Sequence, residues 1–197
     1  MAEDPFMSSL PHKLIIIAAP SGAGKTSIVK HLLAALPGQL GFSVSCATRT
    51  PRAHEKEGVD YYFISAEAFT QRVASGEFAE WEMVYEGKYY GTLRSELERI
   101  WKLRQTPLLD IDVKGGLRIK EQYPQSLSVF IEPPSLAVLR ERLEARNTET
   151  KASLQMRLDK AEEECSYRDQ FDHIIINDQL SVACAQALQL VQNYLTK

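Results

Sequence analysis

The segment Leu14-Ile15-Ile16-Ile17-Ala18 runs directly into Ala19-Pro20-Ser21-Gly22-Ala23-Gly24-Lys25-Thr26, an apolar run followed by a glycine-rich loop that ends in Lys and Thr. An apolar run of this length is far too short to span a bilayer and suits a short buried strand. Gly22 and Gly24 permit backbone angles that a Cβ would penalise, so successive N–H groups can converge on one anion. Lys25 then reaches the outer phosphates of a nucleotide, and the Thr26 hydroxyl suits Mg²⁺. The helix that opens here runs to about Leu36, before Pro37-Gly38, and aims the positive end of its dipole at the same phosphates. The general pattern of such loops begins with Gly, where this chain has Ala19, the least bulky substitute. A plain strand-to-helix turn would account for the two glycines but not for the adjacent Lys25-Thr26. Residues Ala19, Pro20, Ser21, Gly22, Ala23, Gly24, Lys25 and Thr26 are therefore expected to cradle a nucleoside triphosphate.

A loop of this kind belongs beyond the carboxyl end of a strand in a parallel sheet, and the rest of the chain agrees. Apolar runs of strand length recur at Leu14 to Ala19, Pro107 to Ile111, Ser126 to Ile131 and His173 to Ile176, separated by stretches with helical spacing. That alternation predicts an α/β fold with a parallel sheet wrapped by helices. The stripes Leu93, Leu97, Ile100, then Leu136, Leu139, Leu143, then Val182, Ala185, Leu188, Leu195 read as core faces of three helices. With 197 residues and 44% apolar content, the chain fits one domain with insertions better than two separate cores. The apolar stripes can all be satisfied within one chain, so they specify neither a monomer nor a homo-oligomer.

The formal charge of -3 argues against a general nucleic-acid-binding surface while allowing a local basic pocket. Cys46, Cys165 and Cys184 form no CxxC pair and leave an odd count, which suits reduced thiols used as small hydrophobes. Residues Met1-Ala2-Glu3-Asp4-Pro5 carry acid where a secretory signal needs positive charge, so a cytoplasmic location with no membrane partner is expected. The four histidines, His12, His31, His54 and His173, show no paired metal-ligand spacing.

Two segments break the α/β rhythm. Residues 42–92 are rich in Tyr, Arg and Glu and include the strand-like Tyr61-Tyr62-Phe63-Ile64; residues 140–168 form a charged helical pair with Arg140, Arg142, Arg146 and Arg157. Charged helices are usually solvated faces, but arginines beside a triphosphate can also form a mobile lid. The strand Leu108-Leu109-Asp110-Ile111-Asp112 ends in two acids, and ligands in parallel α/β sheets bind beyond the carboxyl ends of strands. Asp110 then faces Thr26 and Mg²⁺, with water between, because Mg²⁺ keeps much of its hydration. Asp112, two residues on and on the same face, lies nearer a second substrate; the bland alternative is a helix cap. Arg49 and Arg52 are close enough to fork one phosphate, and guanidinium geometry suits a monophosphate. A Tyr61 hydroxyl adds a neutral donor. A carboxylate within the insertion, at Glu80, is a natural partner for guanine, whose N1–H and N2–H₂ are adjacent donors.

At this point the sequence resembles the guanylate kinase family, from about His12 to the C-terminus. The residues that carry the resemblance are APSGAGKT, VSCATRTPRAHEKEGVDYYF, FAEWEMVYEGKYYGT, LLDIDVKG, RLEARNTET with MRL, and IIIND. The resemblance implies a P-loop core with a parallel five-stranded sheet, a mixed GMP-binding insertion and a helical lid. Residues 12–196 form one such domain, with core 12–41, 93–139 and 169–196, insertion 42–92 and lid 140–168, preceded by an extension, 1–11. It implies that Ser45, Glu80, Thr92 and Asp112 read guanine, that Arg49, Arg52, Tyr61 and Tyr90 hold the GMP phosphate, and that Glu55 supports the arginines. Arg142, Arg146 and Arg157 become lid residues closing on the transferred phosphoryl group, and Asn177 lies near the ATP adenine. The chain departs from the family pattern at Ala47, His54, Lys114 and Asn147, and none of these removes a proposed ligand.

The implied reaction is phosphoryl transfer from MgATP to GMP, with Lys25, Arg49, Arg142, Arg146 and Arg157 as the catalytic cations and Thr26 and Asp110 as the Mg²⁺ side chains. Its rivals are a kinase for another nucleoside monophosphate, a noncatalytic module binding a phosphorylated peptide at Arg49 and Arg52, and a regulatory NTPase.

Overall fold

The computed structural model describes residues 13–53, 55–145 and 151–196. Its centre is strand β1 (Ile15–Ala18), whose residues alternate between two layers. Ile15 and Ile17 face one apolar cluster with Ile28, Leu32, Val129, Ala187 and Val191. Leu14, Ile16 and Ala18 face another with Leu97, Val113, Ile119, Phe130 and Phe171. This two-sided burial is why the strand reads as a continuous apolar run rather than an alternating one. Each of the three isoleucines is fully buried, worth about 1.5–3 kcal/mol apiece in area removed from water.

Around β1 lie β2 (Leu40–Ser43), β7 (Thr106–Ile111), β8 (Leu127–Glu132) and β9 (His173–Ile176), in the order β2-β7-β1-β8-β9. Every pair among them is parallel, so the fold is the α/β, parallel five-stranded class that the sequence implied. Helices α1 (Lys25–Ala35) and α7 (Leu180–Leu195) pack on one face, and α3 (Arg94–Lys102) and α4 (Val113–Gln122) on the other. The edge strand β2 was not foreseen: LGFS is short and carries a glycine, and it reads as a strand only beside β7, where Leu40 pairs Thr106 and Ser43 pairs Leu109. It ends at Ser43, past residue 41.

Between β2 and α3 the chain builds a second sheet, ordered β4-β3-β6-β5, from β3 (Ser45–Ala47), β4 (Tyr61–Phe63), β5 (Phe78–Tyr85) and β6 (Lys88–Leu93). Helix α2 (Ala66–Ala74), capped by Ser65 whose hydroxyl accepts from the Ala68 amide at 3.1 Å, closes a small core of Cys46, Phe69, Phe78 and Leu93. The β5–β6 hairpin turns at Gly87, at φ 67°. Helices α5 (Leu136–Glu144) and α6 (Lys151–Cys165) share their own cluster of Leu139, Leu143, Leu154, Leu158 and Ala161.

Two of the helical stripes need correcting. On α7, Leu188 and Leu195 pack against the core as expected, but Val182 is 49% exposed and Ala185 is exposed, and the buried positions are Ala183, Cys184, Ala187 and Val191. The small residues won because they let α7 approach α1 closely, and periodicity alone does not choose between two apolar stripes on one helix. On α5, Leu136 is 40% exposed. No helix among the described residues is long and apolar enough to cross a membrane.

Candidate functional site

Beyond the carboxyl ends of β1 and β7 a cleft of about 250 Å³ opens between the five-stranded sheet, the second sheet and α6. Its floor is the loop between β1 and α1. Gly22 and Gly24 sit at φ 96° and 94°, and a Cβ on Gly24 would lie 2.3 Å from Asn177 Nδ2. Ala19, Pro20, Ser21, Gly22, Gly24, Lys25 and Thr26 all line the cleft. Ala23 is buried behind them, and its carbonyl accepts from Asn177 Nδ2 at 2.7 Å. Asn177 is thus a brace behind the loop, 3% exposed, and not a residue of the cleft wall.

Lys25 pairs with Asp110 Oδ1 at 2.9 Å and also donates to the Ile111 carbonyl. Burial pushes its ammonium down, but the Asp110 charge and hydrogen bond outweigh this and hold it above its ordinary value, so it stays cationic. The Thr26 hydroxyl donates to Asp110 Oδ2 at 3.1 Å. One hydroxyl and one carboxylate side by side are hard oxygen donors, a set that fits Mg²⁺ when phosphates and water complete the shell.

The opposite wall comes from the second sheet. Glu55 accepts from both terminal nitrogens of Arg49, at 2.5 and 2.6 Å, and from the Arg52 amide at 2.8 Å. The hydrogen bonds from Arg49 hold the Glu55 carboxyl down at about 2. Arg49 also donates its Nε to the Tyr90 hydroxyl at 3.1 Å and lies 4.9 Å from the centre of the Tyr61 ring. This fixes the guanidinium from three sides. Arg49, Arg52, Tyr61, Tyr90 and Ser45 line the cleft, with Glu55 behind.

Glu80, on β5, is 5% exposed and takes a 2.7 Å hydrogen bond from the Thr92 hydroxyl on β6. Burial, with the nearby Asp112 charge second, pushes its carboxyl up to about 8. A Cβ on Gly115 would meet Glu80 Oε2 at 2.7 Å, so α4 presents a glycine where the carboxylate needs room. Asp112 lines the cleft and also caps α4, its Oδ1 accepting from the Gly115 amide at 2.8 Å.

The lid arginines divide. Arg157 on α6 lines the cleft and lies 3.4 Å from Ser21 Oγ in the phosphate loop. Arg142 lies outside the cleft lining and donates to the Asn177 carbonyl at 2.9 Å, bracing the same region as Asn177 from the other side. Arg146 lies outside the described residues.

Sequence reasoning missed Lys160 and Glu164, which also line the cleft. Both share the α6 face of Arg157, three and seven residues on, so the signal was the helical spacing from Arg157. Lys160 donates to the Val84 carbonyl on β5 at 3.0 Å, tying α6 to the second sheet. Glu164 is pushed up to about 7, first by burial, with the Lys160 charge opposing and the Asp112 charge assisting.

Residues 11–194 match a family model described as guanylate kinase. A guanylate kinase of Bacteroides fragilis is 45% identical over 184 residues, 93% of this chain and 90% of its own. One from Thermotoga maritima is 44% identical over 181 residues, covering 92% of this chain and 86% of that protein. Among solved structures, guanylate kinase from Anaplasma phagocytophilum aligns with a TM-score of 0.71 at 28% identity, over 93% of this chain and 86% of that one.

Proposed function

The chain belongs to the guanylate kinase family, and from that premise we infer that it is a nucleoside monophosphate kinase transferring the γ-phosphoryl group of ATP to GMP, giving ADP and GDP. The observation that carries the reading is the meeting, in one cleft, of a cationic triphosphate cradle with a braced pair of arginines and a buried carboxylate. The cradle alone would serve any NTPase. Arg49 and Arg52 supply a second phosphate site, and Glu80 faces it with the acceptor that a guanine edge needs.

ATP lies with its phosphates over residues 19–26, whose backbone amides and the start of α1 attract them. Thr26 and Asp110 would hold Mg²⁺, which would supply positive charge against the triphosphate when bound. The GMP phosphate lies against Arg49 and Arg52, with Tyr61 and Tyr90 donating, and the base reaches Glu80, Thr92, Ser45 and Asp112. The acceptor oxygen is a phosphate oxygen, already a nucleophile, so catalysis needs alignment and cations more than a base. Lys25 stays charged through its Asp110 pairing and follows the moving phosphoryl group. Arg157 reaches the same phosphates from α6; an arginine in this role is worth roughly 10³–10⁵ in rate in related enzymes. Residues 42–92 act as the acceptor-binding unit and 140–168 as the lid, and their closure keeps water from the γ-phosphate. The free thiols Cys46, Cys165 and Cys184 suit a reducing, cytoplasmic setting.

A coupled assay of ADP release with MgATP and GMP, AMP, dTMP or UMP tests this. A site built around donor recognition should favour GMP over AMP by about 10⁴ or more. Comparable rates with AMP would refute the guanine reading, and acceptor-independent hydrolysis would refute the kinase reading. Omission of Mg²⁺ should abolish turnover.

A further inference from the structure

The chain crosses between the two sheets twice. It enters the second sheet at Val44, the single residue between β2 and β3, and leaves it where β6 runs into α3 at Leu93 and Arg94. Two residues past the exit, on the first turn of α3, stands Glu96, a carboxylate only 4% exposed and outside the cleft. Its Oε1 accepts from the Val44 amide at 3.1 Å, at the entry crossing. Its Oε2 accepts from the Tyr62 hydroxyl at 3.3 Å, on β4. Arg99, one turn on in α3, donates to both oxygens at 2.7 and 3.0 Å and keeps the group ionised, its carboxyl held below the usual range despite burial.

We propose that Glu96 is a positioning residue for phosphoryl transfer, its carboxylate clamping both crossings and β4 together so that the acceptor-binding sheet is held facing the phosphate loop. The inference rests on the reading of the cleft as a GMP site. Ser45 follows Val44 directly, Arg49 and Arg52 follow β3, and Tyr61 precedes Tyr62, so the two groups that Glu96 grips are each one residue from the cleft wall. The ATP cradle hangs from β1 and α1, neither of which passes through the clamp. Loss of the clamp would therefore spread the orientations of the second sheet and lower the fraction competent for GMP, leaving ATP affinity in place. Apparent affinity falls in proportion to that fraction. A carboxylate suits the task because it offers up to about four acceptor positions on one side chain, and this one meets four donors, one each from Val44 and Tyr62 and two from Arg99.

The test compares wild type with Glu96→Gln, Glu96→Ala and Tyr62→Phe, measuring GMP binding by calorimetry, KM for each nucleotide, and the melting temperature. Glu96→Ala should weaken GMP binding and raise the GMP KM about tenfold, with the MgATP KM moving less than about twofold. Glu96→Gln, which keeps an acceptor oxygen, should recover much of the loss. Tyr62→Phe should show a smaller effect in the same direction, and carries the comparison with Glu96→Gln if the alanine variant fails to fold. A fall in melting temperature with unchanged GMP binding, tighter GMP binding, or equal losses for both nucleotides would overturn the proposal. A wild-type chain that binds GMP but forms no GDP would sink the kinase reading, while the clamp is still judged from binding. A chain that binds no GMP would overturn both.

Discussion

Glu80 supplies the sharpest test of how the site recognises its acceptor, because its carboxyl is pushed up to about 8 by burial and by the Asp112 charge. In the proposed site guanine offers donors to Glu80, so the ionised carboxylate would be the binding form. With that value, roughly 1% of the free protein carries the charge at pH 6, about 9% at pH 7 and half at pH 8, and the apparent GMP affinity scales with that fraction. GMP affinity should thus rise roughly 50-fold between pH 6 and pH 8 from this group alone. The GMP phosphate, with a second ionisation near pH 6 as in phosphorylated side chains, adds only about twofold. Glu80→Gln removes the first factor and keeps the second. A hydrogen bond to a charged group is worth about 1.5–3 kcal/mol, so at pH 8 the variant should lose roughly 10- to 150-fold in kcat/KM for GMP. At pH 6 the two proteins should converge. The assay is steady-state kinetics at saturating MgATP from pH 6 to 8, with calorimetric GMP binding beside it. A wild type whose GMP affinity is flat across this range, or a variant that keeps the wild-type slope, would refute the reasoning. Stability gives an independent reading of the same group. A carboxyl whose folded value lies above its ordinary 4.5 holds a proton that the unfolded chain has released. Its contribution is therefore full below the ordinary value and is lost as pH rises towards about 8. The nucleotide-free wild type should lose more melting temperature from pH 6 to 8 than Glu80→Gln does.

Two further perturbations probe the walls of the cleft. Gly24→Ala places a Cβ 2.3 Å from Asn177 Nδ2 at a φ of 94°, a strain of about 1–3 kcal/mol; thermal unfolding should shift down and the ATP KM should rise while calorimetric GMP binding stays, and unchanged ATP kinetics would count against the brace. Glu55→Gln leaves Arg49 without its 2.5 and 2.6 Å ionic partner, so the GMP KM should rise about tenfold, as for the loss of one charge-assisted hydrogen bond. Because Glu55 is held down at about 2, its stabilising effect is present above the ordinary 4.5 and fades as pH falls towards about 2. Acid titration followed by circular dichroism should show wild type losing stability over that window more steeply than the variant.

How much of this was legible in advance follows from how local each signal is. The phosphate loop, Asp110 beside it and the central strand were readable because strand, turn and helix start are contiguous. Arg49 with Glu55 was readable as a family pattern, but the sequence could not show that the pair is closed by the Tyr90 hydroxyl from a strand 41 residues away. Strand β2 was missed since four residues with a glycine have no strand signal until β7 lies beside them. On α7 only Leu188 and Leu195 of the expected stripe pack on the core, because burial there depends on which side of the helix faces α1 and the sheet. Lys160 and Glu164 looked like ordinary surface charges of a helix until α6 was placed over the cleft.

By itself, the sequence determined that this chain builds a parallel α/β core with a triphosphate cradle, because each of those features depends on neighbours within a few residues and on the period of apolar side chains. The tertiary structure alone decided where the polar and charged groups lie and how they behave. Glu80 acquires its raised value from burial against Gly115 and Asp112, Asn177 turns inward to hold the loop carbonyl of Ala23, and Glu96 reaches Val44 across 52 positions. The physical reason is that the behaviour of a charge depends on the water it has lost and the donors that replace that water, and both are set by residues distant in sequence.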